Sequence, residues 1–335
     1  MSNDSIVYPP VIDLHCDLLS YLESVPNSTP FDSEQIGVSI PNMKEGNVGL
    51  QIMAIYTATE KGSVQSALKQ SLIFKDLLHK YEDDLTLVKE VDGLARIHDT
   101  SKIGILASIE SASGLCEEDQ PLDVTFRNLE EIISNTESIL YISLTHHTEN
   151  RFGGGNYSKA GLKDDGKALL DYIDGRKIAV DFSHTSDALA YGILDHLTKK
   201  NLDIPVLASH SNYREIFSHP RNLPNDIAKE IIRRKGLIGI NFVRAFLNND
   251  DPNAMYDHID HGLKIGGGDA ICFGADYFHT GSHPDPEREP FYFKGQESAV
   301  CYPSILKRLE GRTSSDFVHS VSNQNVMNYL RRIWS

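Results

Sequence analysis

The chain has no apolar run near the roughly 18 residues that a membrane-spanning helix needs, so no transmembrane segment is expected. Its opening residues, MSNDSIVYPP, hold neither a basic nor an apolar stretch, and they do not read as a secretory signal. Cysteine is scarce: Cys16, Cys116, Cys272 and Cys301 lie far apart with no C-x-x-C spacing, which fits reduced thiols. A cytoplasmic protein is the expectation, with a mature secreted form lacking its leader as the other reading. Positive charge is also short. The 32 basic and 47 acidic residues give a formal charge of −15, which argues against nucleic acid or an anionic membrane as partner. The nucleophile elbow G-x-S-x-G is absent and no β-type run ends in lysine, so acyl-enzyme and Schiff-base chemistry lack their residues. No internal repeat is evident, and no composition shift marks a second domain.

At 335 residues and 40% hydrophobic content the chain can bury a sizeable core, and residues 1–335 are read as one domain. Apolar β-type runs at 11–17, 48–56, 103–110, 139–146, 177–184, 205–210, 237–242 and 270–276 alternate with helical patterns. Helices are expected near 63–81, 124–136, 165–173, 187–199, 224–235 and 254–265, with two more at 303–309 and 314–333. Most runs lack strict polar alternation, as in parallel strands buried on both faces. The fold class is therefore α/β, and a (β/α)8 TIM-type barrel is the economical architecture. A doubly wound open sheet is the alternative, but the Gly-rich phosphate turn usual after its first strand is missing.

The ends of the runs carry the chemistry. They are His15 and Asp17, Tyr56, Glu110, His146, His184, His210, Asn241 and Asp276. The carboxyl ends of barrel strands form one face, so this scattered list converges there. His15 and Asp17, at i and i+2, are expected to project together while Leu14 and Cys16 turn away. His15, His184 and His210 with Asp17, Glu110 and Asp276 exceed the needs of one zinc ion. They match two metals about 3.5–4 Å apart, which polarise a carbonyl and make hydroxide available near neutral pH. Tyr56 and Asn241 either line the pocket or satisfy strand-end hydrogen bonds. His147 is expected to point away from His146, His279 and His283 to be solvated or lid residues, and the FGGGNY loop to be a turn or a lid.

The order DLHCD, SIES, LTH, DFSHTS, SHS, PRNLPND, INF and FGADY, closing with YPSILKRL and QNVMNYLRR, resembles the membrane (renal-type) dipeptidase family, peptidase family M19, including its bacterial members. The resemblance runs over about residues 11–330. It implies a zinc-dependent dipeptidase on an amidohydrolase-type barrel, in which a metal-bridging hydroxide attacks the peptide bond of small dipeptides, with C-terminal D-residues among the candidates. By position, His15 and Asp17 would hold one zinc ion, His184 and His210 the second, and Glu110 would bridge them. Asp276 would be the acid/base, His146 would polarise the carbonyl, and Arg221 would grip the terminal carboxylate. A homodimer is likewise only what the resemblance suggests.

Several positions depart from the family pattern. Cys16 replaces the usual asparagine, Ser111 and Ala112 stand where glycines follow the glutamate, Val243 and Arg244 replace a tyrosine, and Tyr277, Phe278 and His279 follow Asp276. The alternative is another binuclear metal hydrolase of the same barrel class, acting on a lactone or cyclic amide. Many such relatives bridge their metals with a carbamylated lysine, where this chain has Glu110.

Overall fold

A computed structural model describes residues 8–98 and 101–335. The stretch 1–7, on which the reading of no secretory signal partly rests, lies outside the described residues. Nine strands form among the described residues: β1 (Val11–Cys16), β2 (Val48–Tyr56), β3 (Leu85–Leu87), β4 (Ile103–Glu110), β5 (Ile139–Ser143), β6 (Ala179–Asp181), β7 (Val206–Ala208), β8 (Leu237–Ile240) and β9 (Ile271–Phe273). All pairings are parallel, and β1, β2, β4, β5, β6, β7, β8 and β9 close into an eight-stranded barrel with helices around it. β3 is the extra strand. It lies along Ile103–Ile105, ahead of the point where β5 joins β4 at Ala107, and three residues are too few to carry a readable pattern.

Each expected run contains a strand, but six strands end early, β1 by one residue at Cys16. β5 stops at Ser143 rather than 146, β6 at Asp181 rather than 184, β7 at Ala208 rather than 210, β8 at Ile240 rather than 242, and β9 at Phe273 rather than 276. The polar residues beyond these ends leave the ladder and turn over the barrel mouth. His184 and Asp276 do so with φ of 62° and 65°, in the left-handed region that costs a non-glycine residue energy.

One apolar cluster takes a residue from every barrel strand: Ile12, Leu14, Leu50, Ile52, Leu106, Leu140, Tyr141, Ala179, Leu207, Leu237 and Cys272. This is the barrel interior. Val326, Met327, Tyr329, Leu330 and Ile333 complete it from the helix Asn325–Trp334. The expected helix at 314–333 is in fact broken into Ser315–His319, a π turn at Ser320–Gln324, and Asn325–Trp334. The wide turn lets Asn323 donate to Pro10 O at 2.7 Å and Asn325 to Ile271 O at 2.8 Å, while Tyr329 donates to Val206 O at 3.2 Å. All three acceptors lie at strand starts, so this helix plugs the end of the barrel opposite the strand-end residues. The larger cluster, with Ile105, Ile109, Val180, Ile238 and Phe273, faces the surrounding helices.

Candidate metal centre

β1 does not aim His15 by simple alternation. The register with β2 slips between Asp13 and Cys16, a bulge that adds one residue to β1. Leu14 continues the inward face begun at Ile12 rather than turning away, and through the bulge His15 follows it inward, while Cys16 joins the outer cluster. The Asp13 carboxylate holds the bulge by accepting from His15 N at 2.8 Å. Asp17 stands at the start of the helix Leu18–Ser24, with its Oδ2 4.0 Å from His15 Nε2. Next along the barrel from β1, a Cβ on Gly239 of β8 or on Gly274 after β9 would fall 2.0 or 1.9 Å from Ser209 O, so only glycine lets these strands close on the Ser209–His210 segment.

Three histidines have the same arrangement. His15 Nδ1 lies 2.7 Å from the Tyr141 hydroxyl, which donates its own hydrogen to Leu14 O at 2.9 Å. His210 Nδ1 lies 2.6 Å from Ser209 Oγ, which donates to Asp181 Oδ2 at 2.7 Å. His184 Nδ1 lies 3.3 Å from Asn156 Oδ1. Each outer oxygen is an acceptor, so each ring carries a hydrogen on Nδ1; the neutral His184 and His210 turn a bare Nε2 inward, and His15 does so once it gives up its second proton. Glu110 meets all three: Oε2 is 3.2 Å from His15 Nε2, and Oε1 is 2.9 Å from His184 Nε2 and 3.3 Å from His210 Nε2. Asp276 Oδ1 lies 3.8 Å from His15 Nε2, and its Oδ2 accepts from Asn241 Nδ2 at 2.7 Å.

The charges are strongly coupled. Burial alone would lower the His15 pKa, but the Glu110, Asp17 and Asp276 carboxylates around it push it up to about 10. Burial and the Glu110 charge hold Asp17 well above the ordinary carboxylate range and raise Asp276 to about 7. Glu110 is buried too, yet the positive charge on His15 holds it well below that range. Burial drives His184 and His210 well below the usual histidine value, so both are neutral. His15 Nε2 and Asp17 Oδ1 are buried with no hydrogen-bond partner among the described residues. Buried nitrogen lone pairs and carboxylate oxygens converging within 4.8 Å, two of them orphaned, are a donor set that a divalent cation satisfies. The residues present therefore fit a metal.

A cavity of about 1050 Å³ opens over this centre, walled by Asp17, Glu110, His184 and Asp276 and by Tyr56, His146, Phe246 and Phe278. Tyr56 meets the His146 ring edge-on at 4.9 Å, and burial lowers His146 to about 4. Asn241 does not line the cavity: its amide is used up on Asp276 Oδ2, His210 O and Val243 N. Arg221 is buried behind the wall, donating to Ser211 Oγ and His210 O at 2.9 Å each, with Nε unpartnered and no ion pair among the described residues. Its guanidinium lies 5.6 Å from the ring centroid of Phe246, which does reach the cavity. His147 does not point away as expected. With β5 ended at Ser143, period-two alternation no longer applies, and His147 lines the cavity at 4.1 Å from the His146 ring. His279 and His283 line the mouth without joining the centre. Asp13, Tyr141, Asp181 and Asn156 were not singled out by sequence. Asp13 and Asp181 stand in apolar strands two residues ahead of His15 and Ser183, and a buried carboxylate there was the available signal.

A closed parallel barrel with histidines and carboxylates gathered at one mouth defines a metal-dependent hydrolase of the (β/α)8 class. The family model for membrane dipeptidase (peptidase family M19) matches residues 5–334, and the chain belongs to that family of metallo-dipeptidases, which hydrolyse peptide bonds. Among its relatives, Dipeptidase tcpJ of Claviceps purpurea is 23% identical over 313 residues, covering 88% of this chain and 69% of that protein. The crystal structure of dipeptidase AC, an M19 metallopeptidase, superposes with a TM-score of 0.84 at 18% identity, covering 98% of this chain and 99% of the other. A metallopeptidase from Rhodobacter sphaeroides, liganded with a phosphinate mimic of L-Ala-D-Ala, superposes with a TM-score of 0.82 at 18% identity over 98% of this chain and 100% of the other. At these identities the structural likeness is one of fold.

Proposed function

We propose that the chain hydrolyses dipeptides at a centre of two zinc ions, with His15 and Asp17 on one, His184 and His210 on the other, and Glu110 between them. The observation that carries this reading is the division of the Glu110 carboxylate, one oxygen toward His15 and the other toward His184 and His210. Zinc ions held there would supply Lewis acidity and a water acidic enough to lose a proton near pH 7.

The chain's own groups do the rest. Asp276, raised to about 7, holds or releases a proton at working pH and passes it to the leaving amine, while Asn241 keeps Oδ2 in place. His146 is neutral, so it offers an N–H to the carbonyl oxygen as negative charge develops there. Tyr56 fixes that ring by edge contact. Arg221 takes the terminal carboxylate with its planar fork, which requires Phe246 to give way. A grip on the carboxylate alone leaves the configuration at the C-terminal Cα less restricted. This supports extending to the present chain the acceptance of a D-residue suggested by the ligand of the Rhodobacter protein. Four free, buried cysteines support a reducing, cytoplasmic setting, and no helix of the described residues is long and apolar enough to cross a membrane. A homodimer is proposed on the family resemblance alone, and sedimentation tests it.

The test of function is ninhydrin detection of free amino acids released by zinc-loaded protein from L-Xaa-L-Xaa and L-Xaa-D-Xaa panels, with chelated protein as control. Chelator-sensitive release is expected. No release from any dipeptide, with both metals bound, would move the assignment to a lactone or cyclic-amide substrate.

A further inference from the structure

Asn156 belongs to the glycine-rich loop between β5 and the helix Asp164–Ile173. Backbone bonds stitch this loop to both histidine-bearing segments. Tyr157 N donates to His147 O at 3.0 Å, Gly155 N to Thr148 O at 3.1 Å, and Ser186 N to Gly154 O at 2.8 Å. Gly155 also forms an isolated bridge with Thr185. A Cβ on Gly155 would fall 2.1 Å from His146 O, so the approach is open to glycine alone. The loop thus delivers one buried side chain between two rings: Asn156 Oδ1 lies 2.9 Å from His147 Nδ1 and 3.3 Å from His184 Nδ1. Its Nδ2 is buried with no partner among the described residues, so the side chain is oriented by its oxygen alone.

We infer that Asn156 is a positioning residue for the metal centre, a role that rests on the reading of His184 as a ligand. An acceptor at Nδ1 fixes the tautomer that leaves Nε2 bare, and with it the direction of the lone pair. Because the same oxygen serves His147, the cavity wall and the ligand His184 are set by one group. An amide does this without adding a further negative charge beside Glu110.

The test uses full-length protein stripped of metal and titrated with zinc against a chromophoric chelator. Asn156→Leu removes the acceptor at similar volume, Asn156→Asp restores one, and Gly155→Ala pushes the loop off His146 O. Asn156→Leu is expected to weaken one zinc step by about 10–100-fold while leaving the other unchanged. Asn156→Asp should stay close to wild type, and Gly155→Ala should weaken the same step as Asn156→Leu. The inference is overturned if Asn156→Leu binds both ions as tightly as wild type, or if Asn156→Asp loses as much as Asn156→Leu. Should Asn156→Leu fail to fold, Asn156→Ala is judged by the same two comparisons. Wild-type protein that takes up no second zinc would overturn the ligand reading itself, and this inference with it.

Discussion

The Nε2 atoms of His184 and His210 face each other at 3.0 Å, each ring having its Nδ1 hydrogen committed elsewhere. Two lone pairs at that distance repel, and a positive charge between them relieves the repulsion. Glu110 brings negative charge to the same point and cannot supply that relief.

Metal binding should therefore compete with protons. In the metal-free chain His15 is raised to about 10, above its unfolded value of 6.5. A raised histidine stabilises the fold fully below pH 6.5, and that contribution fades as pH climbs through about 10. Chelated protein should lose stability between pH 7 and about 9.5, by up to roughly 1.4 kcal/mol per pH unit for one proton and visible as a falling melting temperature, whereas zinc-loaded protein should not. Zinc affinity should rise with pH over the same interval. Equal pH slopes for the two forms would refute the coupling.

Asp276→Asn keeps the shape of the side chain and the neighbouring Asn241, but cannot carry the proton. A fall in kcat of about 10²–10⁴-fold is expected, with zinc content unchanged by elemental analysis. Unchanged kcat would remove Asp276 from proton transfer.

Arg221 carries a buried guanidinium without a carboxylate partner among the described residues. Arg221→Ala should chiefly raise KM for dipeptides with a free carboxylate and spare the corresponding amides. An equal effect on both would show that the residue only supports the His210 and Ser211 segment it now binds.

Ser111 sits directly after Glu110 at φ 69° and ψ 123°, a conformation unfavourable for any residue with a Cβ. Ser111→Gly should relieve strain of order 1–3 kcal/mol, offset by about 0.5–1 kcal/mol of added chain entropy. Chemical denaturation should record a net gain near 1 kcal/mol, and a loss would mean that the Ser111 bonds to Ser113 outweigh the strain.

The barrel and its strand-end residues were legible because hydrophobic runs and histidines are local signals. The way in which those residues are aimed was not. His15 reaches the interior through a bulge, His184 and Asp276 through left-handed backbone, and His147 through the early end of β5, none of which leaves a periodic trace. Asn241 reads, from its strand-end place, as either lining the pocket or satisfying strand-end hydrogen bonds, and it does the second, its amide consumed in holding Asp276. The groups that set the histidine tautomers, Tyr141, Ser209 and Asn156, approach from distant segments and are visible only once the chain is closed.

Closure itself has a kinetic consequence. The seam between β1 and β9 has one ladder pair, Asp13 and Phe273, and continues past the strand ends as a Cys16–Tyr277 bridge, with Asp276 N donating to His15 O at 3.2 Å and Asp17 N to Tyr277 O at 2.9 Å; Asp13 reinforces it by accepting from Ala275 N across 262 residues of chain and from the Tyr302 hydroxyl. His15 and Asp17 enter from one edge of that seam and Asp276 from the other. Contacts so remote in sequence form late in folding, because the loop they close is almost the whole chain. Under the proposed ligand set, the half of the centre formed by His15 and Asp17 beside Asp276 assembles only when this seam shuts, whereas Glu110, His184 and His210 come together across β4 to β7 without it.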